Sequence, residues 1–104
     1  MASSREYLDY VLEQLAALEG VSWRAMMGEY LIYYRGTLVG GVYDDRFLLK
    51  PTASARALLP EAPEEIPYPG AKPMLTADVD DPEACCRAIE AVAQDLGSGK
   101  KAKR

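Results

Sequence analysis

The side chains that could carry out chemistry are few in this sequence, and their spacing matches no catalytic or metal-binding set. The 104 residues contain no histidine, which excludes Ser-His-Asp and Cys-His nucleophiles and any histidine-bearing metal site. The two cysteines, Cys85 and Cys86, are adjacent, whereas metal sites and disulfide frameworks use spaced cysteines. We therefore expect no catalytic residue, no metal and no cofactor, and we predict that the protein is not an enzyme.

The acidic clusters and the glycine pair have structural interpretations. The acidic clusters are Asp44-Asp45, Glu64-Glu65, and Asp78 with Asp80 and Asp81. The first fits a turn, the second lies in a proline-rich loop, and the third precedes a predicted helix, whose N-terminal dipole favours negative charge. Phosphate-binding glycine motifs are absent from the sequence. We interpret Gly40-Gly41, inside a predicted strand, as a place where another backbone or ring approaches closely.

Charged and aromatic residues around the stretch RAMMGEYLIYY, residues 24–34, are the remaining functional candidates. Tyrosine suits surfaces that become buried when a partner arrives, because it has an apolar body and a polar tip. Arg24 fits either a surface ion pair with an acid such as Glu29 or a contact with an anion or partner. The candidates for partner or ligand contact are Arg24, Met27, Glu29, Tyr30, Tyr34, Tyr43, Lys50 and Tyr68.

Two long helices and a short one are predicted. Apolar residues recur every three or four positions over 4–18, after a Ser3/Glu6 capping-box spacing and before Gly20. The last helix is predicted over 82–96, with Pro82 at its first position and Gly97 ending it. A short helix over 52–59 follows Pro51.

Between the first helix and the short helix, the apolar period changes to two. This alternation predicts strands over 21–27, 30–34, 37–43 and 46–50, and a further strand over 74–77. Arg35-Gly36 and Asp44-Asp45 are predicted two-residue hairpin loops, so the strands they join must be antiparallel. The proline-rich segment 60–70 is expected to lack regular structure. The predicted fold class is α+β: a small antiparallel β-sheet with the N- and C-terminal helices packed on one face and a short third helix between strands.

The two predicted hairpins assign side chains to sheet faces. The face predicted beneath the helices carries Leu31, Tyr33, Leu38, Val42, Phe47 and Leu49. The opposite face carries Tyr30, Ile32, Tyr34, Thr37, Val39, Tyr43, Arg46, Leu48 and Lys50. This second face is partly apolar, so we expect either that the short helix or the proline-rich loop covers it, or that it contacts a second copy, another protein or a ligand.

The length fits one domain, residues 1–97, followed by a basic flexible tail at 98–104. The net charge is −4, and four positive charges lie in the last five residues, which leaves −8 for the rest. An acidic body disfavours nucleic acid, so contact through the basic tail is a secondary alternative. The sequence shows neither an 18-residue apolar run nor a signal-peptide pattern, so we expect a cytoplasmic protein without membrane contact.

Over residues 5–96, the order of these motifs resembles the N-terminal domain of the TfoX/Sxy family, bacterial regulators of competence genes. The resembling positions are Arg24, Met26, Met27, Gly28, Tyr30 and Tyr33; the Asp45-Arg46 turn with Leu48 and Lys50; and Tyr68-Pro69-Gly70 followed by Met74. The resemblance implies helices packed on a small antiparallel sheet and a non-enzymatic regulatory association. The family's separate C-terminal helical domain has no counterpart here, so we expect a stand-alone TfoX-like protein.

The favoured function is a regulatory or adaptor domain that acts by protein–protein contact in transcriptional regulation, with a protein partner or as a homodimer. One alternative is a small-molecule-binding domain, with a pocket between Tyr68-Pro69-Gly70 and the strand residues Arg24 and Lys50. The other is a weak nucleic-acid binder that uses the basic tail.

Overall fold

The computed structural model describes residues 4–102, with side chains described for residues 4–97. Its elements are α1 (Arg5–Gln14), β1 (Val21–Met26), β2 (Glu29–Tyr34), β3 (Thr37–Val42), β4 (Phe47–Leu49), α2 (Ala53–Leu58), β5 (Glu64–Glu65), β6 (Met74–Thr76) and α3 (Pro82–Ala102). Among residues 4–102, no helix combines the length and the apolar character needed to cross a membrane. The α+β fold class predicted from the sequence is confirmed.

The strands form one antiparallel sheet in the order β1-β2-β3-β4-β6-β5. One sheet face packs against the helices, and the core lies between them. The largest fully buried side chains of this core come from α1 and its C-cap Leu15, from α3 and from the sheet: Leu8, Val11, Leu15, Ile32, Val39, Val42, Phe47, Leu49, Leu75, Ile89 and Val92. The apolar stripes read from the sequence therefore meet in a single core, as an amphipathic helix on a sheet requires.

The helix ends differ in part from prediction. The Ser4 side chain caps α1 by accepting a hydrogen bond from the Tyr7 backbone N–H at 3.0 Å, and the predicted cap Ser3 lies outside the described residues. The helix ends at Gln14 and not at 18 because the chain tightens into i→i+3 bonds, such as Leu18 N–H to Leu15 C=O at 3.0 Å. The short helix predicted over 52–59 is present as α2, and the Thr52 side chain caps it by accepting a hydrogen bond from the Ala55 backbone N–H.

The prediction that Gly97 ends the last helix is wrong. Helical backbone continues through Gly97 to Ala102, because a single glycine inside a long helix costs only about 1 kcal/mol relative to alanine. Lys103 and Arg104 lie outside the described residues. The flexibility of the 98–104 tail stays a prediction.

The proline-rich segment contains a short strand, so the prediction that it lacks regular structure is wrong at β5. Glu64 and Glu65 pair with Leu75 and Met74 of β6. This pairing is compatible with the flanking prolines because Glu64 and Glu65 retain their own backbone N–H groups, and Pro63 contributes its carbonyl oxygen to the Thr76 N–H at 2.9 Å.

Three two-residue hairpin loops join the first four strands, and two of them, Arg35-Gly36 and Asp44-Asp45, were predicted. The third is Met27-Gly28, which connects the paired residues Met26 and Glu29. Both residues of every loop have positive φ, as type I′ turns require. Such turns match the right-handed twist of the strands, so the sheet is built from consecutive tight hairpins.

The predicted division of side chains between the two faces is wrong, because β3 contains a bulge. Ile32 pairs with Gly40 while Tyr33 pairs with Leu38, which leaves Val39 as an extra residue. One extra residue moves all later partners to the opposite face. Tyr30 and Ile32 therefore share the helix side with Val42, and Leu31 and Tyr33 lie on the other side.

On each side of the bulge, the prediction groups the side chains by face correctly. It is wrong about which group before the bulge shares a face with which group after it. The helix side carries Tyr30, Ile32, Tyr34, Thr37, Val39, Val42, Phe47 and Leu49. The opposite side carries Leu31, Tyr33, Leu38, Tyr43, Arg46, Leu48 and Lys50. Tyr30 and Tyr34 pack against the same core as Phe47, so the three-tyrosine surface Tyr30/Tyr34/Tyr43 does not exist.

The interpretation of Gly40-Gly41 as a close-approach site is confirmed. A Cβ on Gly40 would overlap the Leu48 carbonyl oxygen and lie 3.0 Å from the Leu49 Cα. A Cβ on Gly41 would lie 2.7 Å from the Tyr30 carbonyl oxygen and 2.8 Å from the Tyr43 ring. The two glycines therefore let β3 fit tightly between its neighbours and hold Tyr43 over the sheet.

Candidate functional site

The sheet face without helices, here called the open face, is covered over only part of its area. The segment 66–73 lies over the β4 end, where Leu48 and Pro67 are buried and the Tyr43 and Tyr68 rings lie 6.1 Å apart. On β1, at the sheet edge, Arg24 and Met26 are exposed on the open face. The chain's own proline-rich loop thus covers one end of the open face and leaves the other uncovered.

Met27 is the most exposed large apolar side chain described, at 96 %. It occupies the first position of the Met27-Gly28 turn with φ 52°, where asparagine, aspartate or glycine is preferred. A left-handed conformation costs a residue of this type about 1 kcal/mol. No burial offsets this cost in the isolated chain, so the turn presents a methionine outward at the expense of stability.

The surface around this turn, here called the methionine–tyrosine patch, consists of Met26, Met27, Tyr43, Ile66 and Tyr68. Met26, Ile66 and Tyr68 are exposed by 43 %, 53 % and 54 %. Two shallow hollows of about 370 and 430 Å³ cross the patch, and Tyr68 lines both. Flexible thioethers beside rigid aromatic rings are suited to binding an apolar partner surface.

Acidic groups lie at the rim of the patch. The Glu29 carboxylate accepts a hydrogen bond from the Asp44 backbone N–H at 3.1 Å, and the Asp44 side chain is exposed. Arg46 lines the same hollow, and its guanidinium donates to the Glu65 carboxylate at 2.5 Å and to the Tyr43 carbonyl oxygen at 3.1 Å. The hydrogen bond from Arg46 lowers the pKa of Glu65, and Thr76 adds to the effect. The rim therefore carries the Glu29 and Asp44 carboxylates, and Arg46 lies beside them, paired with Glu65.

Tyr43 forms the floor of the patch and stays a neutral phenol at ordinary pH. Burial raises its pKa first, and the nearby Tyr68 and Glu29 raise it further. A phenol with a raised pKa donates a hydrogen bond but does not act as a base near neutral pH. Its position supports binding and offers no proton-transfer chemistry.

The structure brings together four of the eight predicted contact residues: Met27, Glu29, Tyr43 and Tyr68 line the hollows of the patch. Arg24 lies on the same face, and Lys50 lines an adjoining groove with Tyr68 and Gly70. Arg24 does not line that groove, so the predicted pocket between Tyr68-Pro69-Gly70, Arg24 and Lys50 is only partly assembled.

Tyr30 and Tyr34 are separated from the other predicted contact residues. Tyr30 packs edge-on against Trp23 on the helix side, with ring centroids 5.6 Å apart. The Arg35 guanidinium lies 5.4 Å from the centroid of the Tyr34 ring. Both rings therefore have packing partners within the chain.

Sequence reasoning missed Met26, Ile66 and Lys72 as surface residues of this region. Ile66 is an aliphatic residue between prolines in a loop that has no helical or strand period, and that isolation is a usable signal of exposure. No sequence pattern indicates that Lys72 and Lys50 line one groove, because their proximity depends on the loop returning over the open face.

The cysteines are structural. Burial raises the pKa of Cys85 to about 12, and its Sγ lies 3.2 Å from the Asp78 carbonyl oxygen. Burial also raises the pKa of Cys86. Both thiols therefore stay protonated near neutral pH, which removes their nucleophilic form. Within residues 4–102, the described Cys, Asp and Glu side chains form no group of three that could hold a metal ion.

A known protein family matches most of the elements of this fold. Residues 13–95, from α1 to α3, match the family model for the TfoX N-terminal domain. The chain belongs to the TfoX N-terminal domain family. An uncharacterised 12.7 kDa protein in the trpE 5′ region of Spirochaeta aurantia is 37 % identical over 78 residues, which is 75 % of this chain and 68 % of the relative. The family predicted from the motif order is thus confirmed, and this TfoX-type domain is of a regulatory kind.

Proposed function

We propose that this TfoX-type domain is a non-enzymatic regulatory or adaptor domain of the bacterial cytoplasm that acts in transcriptional regulation by protein–protein contact. The contact surface is the methionine–tyrosine patch. The observation that carries the proposal is Met27, an exposed methionine in a left-handed turn position. Folding alone would favour asparagine or glycine there, so binding is the process that gains from the methionine.

The chemistry of the patch favours a partner with an apolar centre and basic groups around it. The Glu29 and Asp44 carboxylates border the apolar side chains, and the whole chain carries a net charge of −4. A two-fold contact between copies would place the same acidic residues against each other, because an isologous interface pairs a patch with itself. Like charges disfavour that arrangement, so another protein is the proposed occupant.

The groups in the patch support binding and not catalysis. Its apolar side chains are thioethers, one aliphatic residue and two phenols, and Tyr43 is held in its neutral form by a raised pKa. Alanine scans of protein interfaces find that a few central aromatic and apolar anchors carry most of the affinity. We assign that role to Met27 and Tyr68.

Site-specific photo-crosslinking in the bacterium that makes this protein tests the proposal. A photoreactive amino acid replaces Met27, and in a control strain it replaces the exposed Ala57 of α2. We expect a defined protein adduct from position 27 and none from position 57. The adducted protein is then purified, and its affinity for the native chain and for variants is measured by calorimetry.

Matched variants give the deciding measurement. Met27→Asn should weaken binding at least about fivefold, since loss of a central anchor costs more than about 1 kcal/mol. Leu58→Asn, which removes an exposed apolar residue outside the patch, should leave the affinity unchanged. Expression of the genes that the protein regulates should change with Met27→Asn at normal protein level. Equal affinity for the two variants would contradict the proposal, as would a homodimer in light scattering that Met27→Asn dissociates.

A further inference from the structure

A second concave region lies beside the patch, between segment 67–74 and the residues Leu38, Tyr43 and Lys50 in and next to the strands. It is a groove of about 510 Å³, here called the lysine groove, and its lining includes Leu38, Tyr43, Lys50, Tyr68, Lys72 and Met74. The volume falls within the range of about 300–1,000 Å³ that small-molecule sites occupy. It is therefore large enough for a compact organic ligand.

The two lysines distinguish this groove from the acidic patch. Neither Lys50 nor Lys72 forms an ion pair with any side chain that the structure describes, whereas Arg5, Arg46 and Arg56 each pair with a carboxylate. Two such cations line the same groove of a chain whose net charge is negative. A local pair of unneutralised ammonium groups attracts an anion.

The other walls of the groove are apolar, aromatic and stiff. Leu38 and Met74 contribute apolar surface, and the Tyr43 and Tyr68 rings meet at 53° with centroids 6.1 Å apart. Proline residues fix φ on both sides of the groove, at Pro51 and in segment 67–73. A wall that is already ordered loses little conformational freedom on binding.

We infer that the lysine groove binds a small organic anion. Lys50 and Lys72 hold its carboxylate or phosphate group, and its apolar ring packs against Tyr43 and Tyr68. This inference goes beyond the proposed protein contact, because the lysines are not part of the methionine–tyrosine patch. The two surfaces share the Tyr43 and Tyr68 rings, so a bound anion lies directly next to the partner surface.

Titration of the full ¹⁵N-labelled chain with three probes that share a phenyl ring tests the inference. Phenyl phosphate and phenylacetate carry the two anionic groups, and benzyl alcohol is the uncharged control. We expect saturable amide shifts around Leu38, Lys50 and Lys72 with one or both anions, and none with benzyl alcohol. The relative affinities of the two anions decide whether the site prefers phosphate or carboxylate.

Charge-removing variants complete the test. Lys50→Gln and Lys72→Gln should each raise the Kd by up to about fivefold, because a solvent-exposed charge contact contributes up to about 1 kcal/mol. Lys100→Gln removes the same charge from α3 and should leave the Kd unchanged. The inference is overturned if neither anion causes saturable shifts, or if benzyl alcohol binds as well as the anions. It is also overturned if Lys100→Gln weakens binding as much as Lys50→Gln and Lys72→Gln do. If an acidic peptide causes saturable shifts and neither small anion does, the inference is likewise overturned.

The two proposals fail independently. Met27→Asn changes the patch and should leave anion binding intact, while Lys50→Gln changes the groove and should leave partner binding intact in the absence of anion. Loss of both activities in both variants would contradict the assignment of two separate surfaces.

Discussion

Replacement of Gly40 by alanine should strongly destabilise this domain. The added Cβ would overlap the Leu48 carbonyl oxygen and lie 3.1 Å from the Leu48 carbonyl carbon. These are backbone atoms of the neighbouring strand, so no side-chain rotation relieves the contact. Gly40 also follows the bulge at Val39, where the register of β2 and β3 is set.

The size of the effect follows from overpacking. Extra methyl groups in a packed interior cost about 1–3 kcal/mol, and a contact with a fixed backbone carbonyl belongs at the upper end. We therefore expect a loss of about 3 kcal/mol, a large share of the about 5–15 kcal/mol that stabilises domains of this kind. With a urea m-value of about 1–2 kcal/mol/M for a chain of this size, the unfolding midpoint should fall by about 2 M.

Urea unfolding followed by far-ultraviolet circular dichroism measures this difference, with Gly97→Ala as the matched control. A Cβ on Gly97 meets nothing within 4 Å, and the residue lies inside α3. This variant should gain about 0.5–1 kcal/mol, the usual gain from alanine in a helix interior. A Gly40→Ala midpoint within about 0.3 M of the native value, at unchanged slope, would refute the strand-contact argument.

Three further predictions concern the Met27-Gly28 turn, the loss of stability at low pH and the two cysteine thiols. Met27→Asn should raise the free energy of unfolding by about 1 kcal/mol, because asparagine adopts positive φ readily; a lower thermal midpoint would contradict the assignment of strain. The pKa of Asp95 is lowered, first by the Ser54 backbone N–H and then by its hydroxyl. Its stabilisation is therefore present above the unfolded pKa and lost as pH falls through the folded pKa, so Asp95→Asn should flatten the stability profile below about pH 4; an unchanged profile would exclude this linkage. At pH 8, alkylation followed by mass spectrometry should label Cys86 slowly and Cys85 only on unfolding, because burial raises the Cys85 pKa to about 12; fast labelling of Cys85 would contradict its burial.

Much of the fold could be read from local patterns. The helix stripes, the loops Arg35-Gly36 and Asp44-Asp45, and the strand glycines all correspond to observed elements, because each depends on neighbouring residues. The end of α3 could not be read in this way, because a helix passes a glycine when its cost is small relative to the length of helix that continues.

The candidate site was predicted in part. Met27, Glu29, Tyr43 and Tyr68 do lie together, and Tyr30 and Tyr34 do not. The extra residue at Val39 caused this error. The sequence did not reveal the bulge, because a bulge residue is of no distinctive type. A glycine pair beside it, Gly40-Gly41, was the available hint.

By itself, the amino-acid sequence determined the apolar spacing of the helices and strands, two of the hairpin turns, the protein family and the lack of histidine chemistry. These features depend on residue type and short-range spacing. The tertiary structure alone decided which tyrosines face the helices, that Met26 and Ile66 border the same surface, and that Lys50 and Lys72 line one groove. The physical reason is that strand register and loop return depend on contacts between residues far apart in the chain. A one-residue shift in that register exchanges the buried and exposed faces without changing the local pattern.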